Sequence, residues 1–212
     1  MYLTAALLAI QLLFPREYHR EETEARSGQQ WMALIDGREG SVLRTVTIDV
    51  ERVADIDDPP GKKTGKEVSI ATPIKQESVL VLLRGMPLHE GVVPTARYRG
   101  EGDVGKPLHI TLPNAPTKYK LAMNCDGERC PLTLSANGTL QRLFVFGKDA
   151  DAGDFKGLRV IWAGDLDGDG KLDLLIDISN HYNVSSVALY LSSKAKSGGL
   201  VGLAAKLETV GC

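Results

Sequence analysis

Alternation of period two is the feature that most constrains this fold. Val46, Ile48 and Val50 alternate with Thr45, Thr47, Asp49 and Glu51. In an extended chain that pattern puts apolar side chains on one face and polar ones on the other. Leu108, Ile110 and Leu112 repeat it around His109 and Thr111, and Leu158, Val160 and Trp162 around Arg159 and Ile161. Ser78–Leu83 (SVLVLL) is continuously apolar, as expected of a strand covered on both faces. Tyr119–Asn124, Pro131–Ser135, Leu140–Phe146, Leu172–Ile178 and Val187–Ser192 read as further strands, and Leu200–Val210 fits strand or helix.

The punctuation agrees. Asp55–Lys66 (DIDDPPGKKTGK) is a polar Pro/Gly loop, and Asp126-Gly127 and Asn137-Gly138 are hairpin turns between apolar runs. After Trp31 no amphipathic helical stripe stands out. About ten short strands with frequent turn signals predict a mainly β chain. The expected architecture is one or two antiparallel β-sandwich-like domains.

Length and charge narrow the function classes. At 212 residues the chain suits one domain or two small ones. Its net charge of −2 lacks the basic excess that sequence-independent nucleic-acid binding needs. No apolar run reaches the roughly 18 residues of a transmembrane helix. Met1–Phe14 (MYLTAALLAIQLLF) has the greasiness of a signal-peptide core, although no Lys or Arg precedes it and no small-x-small site follows closely. We therefore expect residues 1–15 to be a leader or anchor, 16–28 a polar linker, 29–146 a β domain, and 147–212 a second β unit or part of the same domain.

Three cysteines are compatible with export. Cys125 and Cys130 flank the Asp-Gly turn, where strand spacing permits a disulfide. Three pairings are open, because Cys212 can pair with either. One close Cys pair without a nearby His does not make a zinc site.

The sharpest chemical signal is Asp165-Leu166-Asp167-Gly168-Asp169-Gly170-Lys171-Leu172-Asp173. Carboxylates stand at loop positions 1, 3, 5 and 9, and Gly170 at position 6 permits the turn that aims the Lys171 carbonyl inward. Carboxylates packed together repel unless a cation sits among them, and calcium takes six to eight such oxygens. Position 12, where an EF-hand has its bidentate carboxylate, is Ile176. The residues after the loop alternate as a strand: Leu172, Leu174, Ile176 and Ile178 against Asp173, Leu175 and Asp177. The expected unit is strand–calcium loop–strand, with Asp165, Asp167, Asp169, the Lys171 carbonyl and Asp173 as ligands.

Gly164–Ile176 (GDLDGDGKLDLLI) resembles the calcium loop of FG-GAP repeats, which occur in the β-propeller of integrin α-subunits and in bacterial surface proteins. The resemblance implies that same calcium ligand set. It does not imply a propeller, since the chain has one such loop and is short for several four-stranded blades. From Trp31 through Ser179–Tyr182 to Gly211-Cys212 the chain is also similar to bacterial extracytoplasmic proteins carrying one such loop. That similarity implies a compartment (periplasm, cell surface or secreted) and no activity.

Other residues carry weaker signals. Asn180, His181 and Tyr182 follow the second strand of the loop unit and can form a polar rim beside the ion, or simply a hydrogen-bonded turn. Lys62, Lys63 and Lys66 lie in a loop with Asp57 and Asp58 and read as solvated. No nucleophile elbow, P-loop or other catalytic constellation is recognisable. Three functions follow as expectations. The first is a cell-envelope binding or adhesion module with a protein or glycan partner and an exposed apolar patch near the loop. The second is a purely structural envelope protein. The third is a hydrolase or accessory domain, whose pocket would hold a carboxylate of raised pKa away from any metal.

Overall fold

The computed structural model describes residues 9–37, 40–71, 73–100, 105–127, 129–147, 159–181 and 183–210. Within them the chain is mainly β, about 55% strand, and the rest is almost all turn and loop. In order the strands are β1 (Gln11–Leu13), β2 (Glu17–Tyr18), β3 (Gln30–Ile35), β4 (Ser41–Val53), β5 (Gly65–Ile70), β6 (Val79–Arg84), β7 (Gly91–Val93) and β8 (Arg97–Arg99). There follow β9 (Leu108–Thr111), β10 (Lys118–Met123), β11 (Cys130–Ala136), β12 (Thr139–Phe146), β13 (Arg159–Gly164), β14 (Asp173–Asp177), β15 (Val184–Leu191) and β16 (Gly202–Val210). Among the described residues two 3-10 turns, Gln76–Ser78 and Ser192–Lys194, are the helical content. The strands pair antiparallel, and among the described residues they form neither a closed barrel nor a propeller.

The chain divides into two compact units. The first comprises Met1–Arg38 with Val42–Gly91, and the second Glu39–Ser41 with Val92–Cys212. In the first unit the strand order is β1-β6-β3-β4-β5-β2. Long β4 serves two neighbours in turn: Val42–Thr47 pair with β3, and Ile48–Val53 with β5. Its alternation does what the sequence predicts, burying Val46 and Ile48 while Thr45 and Asp49 face outward. On β6, Val81, Leu82 and Leu83 are all buried, so both faces of this strand are covered as its unbroken apolar run requires.

Residues 1–8 of the expected leader lie outside the described residues. Gln11–Leu13 form β1 against β6, with Leu12 and Leu13 buried. The polar stretch after Pro15 is laid down on the unit. Glu17 and Tyr18 pair with β5, and Tyr18, Thr23 and Ala25 are buried. Among the described residues no helix is long and apolar enough to cross a membrane.

The second unit is a sandwich of two sheets, β12-β11-β10-β9-β8 and β13-β14-β15-β16. One core joins them: Ile110, Leu121, Leu132 and Leu134 from the first sheet meet Leu172, Leu174, Ile176 and Ile178 from the second. Each fully buried aliphatic side chain contributes roughly 1.5–3 kcal/mol. The four-residue stripe read from the sequence, Leu174 and Ile176 on β14 with Leu172 and Ile178 at its ends, thus faces this core. The expected boundary near Gly147 falls inside this unit, and the strands on either side of it share that core. Of Leu200–Val210, open between strand and helix, Gly202–Val210 is strand β16, paired with β15.

β10 and β11 form the expected hairpin around Asp126-Gly127, with Cys125 and Cys130 sulfurs 1.99 Å apart. This selects one of the three pairings; Cys212 lies outside the described residues.

Candidate metal centre

The acidic loop closes β13 onto β14. Gly164 and Asp173 are the last paired residues of the two strands, so the loop between them must reverse the chain. Gly168 and Gly170 make this reversal at φ +77° and +79°, a region that side chains with a Cβ rarely adopt. The loop is buttressed from outside. Residues 94–96 run beside it, with Asp165 N–H donating to the Pro94 carbonyl at 2.9 Å and Ala96 N–H to that of Ala163 at 2.8 Å. Trp162 beneath it is buried and donates from Nε1 to the Ser41 hydroxyl at 3.0 Å.

This geometry brings Asp165, Asp167 and Asp173 together, each offering a carboxylate oxygen within 4.8 Å of the others. Asp173 is wholly buried at the start of β14. Its Oδ2 accepts from Leu166 N–H at 2.7 Å, and its Oδ1 from Ser192 N–H at 2.8 Å. Burial pushes its carboxyl up to about 7, with Asp167 adding repulsion, against the lowering effect of the backbone donors. Asp165 Oδ2 accepts from Gly170 N–H at 2.9 Å. Its carboxyl is also raised, by desolvation first and then by Asp169 and Asp167. Asp167 Oδ2 accepts from the Ser193 hydroxyl.

Two oxygens in this cluster have no such partner. Asp165 Oδ1 and Asp167 Oδ1 are both buried and accept no hydrogen bond. Desolvating an anionic oxygen without a donor is costly, and natural structures rarely leave one so. A cation among the three carboxylates would satisfy both. Oxygens about 2.4 Å from a single calcium ion can lie up to about 4.8 Å apart, so the cluster fits one such ion.

Asp169 lies near enough to Asp165 to raise its carboxyl, although it is not one of the three residues whose oxygens all fall within 4.8 Å of one another. Its Oδ2 accepts from the Ser192 hydroxyl at 2.7 Å and its Oδ1 from Lys171 N–H at 2.9 Å. Of the four expected carboxylates, three converge within 4.8 Å, and Asp169 closes a local turn by accepting from the Lys171 N–H two residues on. Asp177, the pleat beyond Asp173, accepts from the Ser179 N–H and hydroxyl.

The expected rim is not at the loop. Asn180 and His181 follow the far end of β14, and its five residues, at about 3.3 Å each, separate them from Asp173 by on the order of 16 Å. There His181 Nδ1 contacts Asn183 Oδ1, and Val184 N–H donates to the His181 carbonyl, closing a turn. Tyr182 lies outside the described residues. Besides residues 94–96, the loop is bordered by Ser192 and Ser193. Antiparallel pairing sets Leu174 opposite Tyr190, so the chain leaving β15 passes beside Asp173. Two serines after an apolar run carry no sequence signal of this role, which depends on strand register alone.

Comparison with protein-family models, curated proteins and solved structures finds no match. The likeness of this loop to FG-GAP repeats therefore rests on Gly164–Ile176 themselves.

Proposed function

We propose that Asp165, Asp167 and Asp173 hold one calcium ion that stabilises an extracytoplasmic β module, whose role is binding at the cell envelope. The observation carrying this reading is the pair of buried, unpartnered carboxylate oxygens on Asp165 and Asp167. Calcium is favoured because every neighbouring donor is a hard oxygen and the loop is built from backbone turns that tolerate a large, flexible shell. Magnesium keeps several waters and suits a wetter, more open site. Extracellular calcium modules bind at about 10⁻⁴–10⁻³ M, so such a loop fills outside the cell and stays mostly empty in cytosol. The Cys125–Cys130 pair at bonding distance supports the same compartment.

A binding role is favoured over a purely structural one by exposed apolar side chains near the end of β15 that carries Ser192: Leu140 and Leu203 are 72% and 56% exposed. The hydrolase reading has less support, since the groove between these leucines is lined by no carboxylate among the described residues.

The test is a calorimetric calcium titration of the chelator-stripped full chain, with a melt in calcium and in chelator. We expect one site and a higher melting temperature in calcium. Asp167→Asn should weaken affinity at least tenfold, and magnesium should bind less tightly than calcium. An absence of both heat and thermal shift would reduce the loop to a solvated turn.

A further inference from the structure

A groove of about 690 Å³ opens between β12 and the chain running from Ser192 through Gly202 into β16. Its walls are tied together. The Gln141 side chain accepts from Leu200 N–H at 2.7 Å and donates to the Val201 carbonyl at 2.6 Å. The Tyr190 hydroxyl donates to the Leu143 carbonyl at 3.1 Å. The groove is therefore pre-formed within the second unit.

Its lining has a definite chemistry. Arg142, Lys194 and Lys196 are its charged side chains, all exposed, and no carboxylate lines it among the described residues. On a chain of net charge −2 this is a local reversal of sign. Leu140 and Leu203 supply apolar rims. Tyr190, its aromatic member, is buried, which leaves no exposed ring on which a sugar would stack.

The backbone adds a second kind of recognition. Among the described residues β12 is an edge strand, paired on one side by β11. The Asn137-Gly138 turn has both φ angles positive, +49° and +79°, the type I′ geometry that makes Ala136 and Thr139 a hydrogen-bonded pair. Hydrogen-bonded and non-hydrogen-bonded pairs then alternate along the ladder. Leu140 and Arg142 fall at the non-hydrogen-bonded places, opposite Ser135 and Thr133. Their N–H and C=O groups point away from β11, beside the basic side chains.

We propose that this groove docks an extended acidic peptide segment of a partner protein, added as a strand along β12. The segment's backbone would pair with Leu140 and Arg142, its carboxylates would face Lys194 and Lys196, and its alternate apolar side chains would lie on Leu140 and Leu203. This deepens the binding-module reading by naming the class of partner. It does not depend on the calcium ion.

The test is an ¹⁵N-resolved NMR titration of the full chain with the peptide acetyl-(Glu-Val)4-amide. We expect shifts confined to Leu140–Leu143 and Lys194–Leu203, weakening as salt is raised. The Lys194→Glu/Lys196→Glu variant, changed at exposed side chains only, should bind at least tenfold more weakly. The same peptide N-methylated at alternate residues should lose binding, because strand pairing needs its amides. Equal binding by (Lys-Val)4, by the N-methylated peptide or by the charge-reversed variant would overturn the proposal. Shifts from a hyaluronan oligosaccharide but not from the peptide would overturn the peptide assignment while leaving a binding module standing. Silence from both probes would remove the binding reading itself.

Discussion

Asp58 shows how one side chain can organise a loop that composition describes only as polar. Its Oδ2 accepts from Asp55 N–H at 2.9 Å and Thr64 N–H at 2.7 Å, and its Oδ1 from the Thr64 hydroxyl at 2.7 Å. Desolvation alone would raise this carboxyl. The hydrogen bonds from Asp55 and Thr64, with Lys62 nearby, outweigh it and hold the group at about 2. A folded-state value below the ordinary 3.8 means the unfolded chain binds more protons in this range. The group's stabilising contribution is thus complete above about pH 4 and is lost as pH falls towards 2. Asp58→Asn should lower stability at pH 6, and the gap from wild type should close between pH 4 and 2. Urea melts across that range would show it; a constant gap would mean that Asp58 acts through packing and not through its charge. The sequence placed Asp58 among solvated charges, because a loop residue's reach to Thr64 has no signature in composition.

Among elements, the 3-10 turn Ser192–Lys194 links the two features of the second unit. Its serines bond Asp173, Asp169 and Asp167, and its lysine lines the groove. Gly202 holds this turn close to β16. A Cβ there would stand 1.9 Å from the Lys194 carbonyl oxygen, which is backbone and cannot rotate aside. Gly202→Ala should therefore displace the turn, at a cost of about 1–3 kcal/mol. It should also weaken calcium binding, although no metal-ligating side chain is changed. Native-like calcium affinity in this variant, measured by calorimetry, would show that the turn does not position the carboxylates. Gly202 was legible in the sequence only as one of 22 glycines. The close approach of two backbones, far apart in any local pattern, gives it its role.

At the scale of the molecule, each compact unit carries one tryptophan: Trp31 in the first and Trp162 in the second. Trp31 Nε1 is buried without a hydrogen-bond partner, and the Arg84 guanidinium lies over its ring at 5.9 Å. Trp31→Phe thus removes no hydrogen bond from that nitrogen and leaves Trp162 as the sole indole reporter. Ion binding stabilises by mass action, by about 2.7 kcal/mol at one hundred times the dissociation constant, on the order of 10 °C for a unit of this size. Fluorescence melts of Trp31→Phe should show calcium raising the Trp162 transition by that amount. A calcium shift seen by Trp31 in Trp162→Phe, with none at Trp162 in Trp31→Phe, would place the ion outside the acidic loop.

Local periodicity was enough to determine that this chain is β, where its hairpins turn, and which face of β14 is apolar. Those properties depend on residues one to four positions apart, and alternation and Asn-Gly or Asp-Gly turns encode them directly. The DxDxDG run determined that carboxylates would crowd one loop, since backbone geometry forces near neighbours together. Tertiary structure decided everything that depends on residues distant in sequence. It joined the strands before and after Gly147 in one sandwich, because their apolar faces are complementary only when stacked. It drew residues 11–18 onto the first unit's sheet, where the apolar run beside Pro15 could be buried. It set Ser192 and Ser193 beside the acidic loop and His181 at the other end of β14, through the antiparallel register of β14 and β15. Which carboxylate oxygens remain without a donor is likewise a property of the packed loop, and those are the oxygens a cation among the three carboxylates would satisfy.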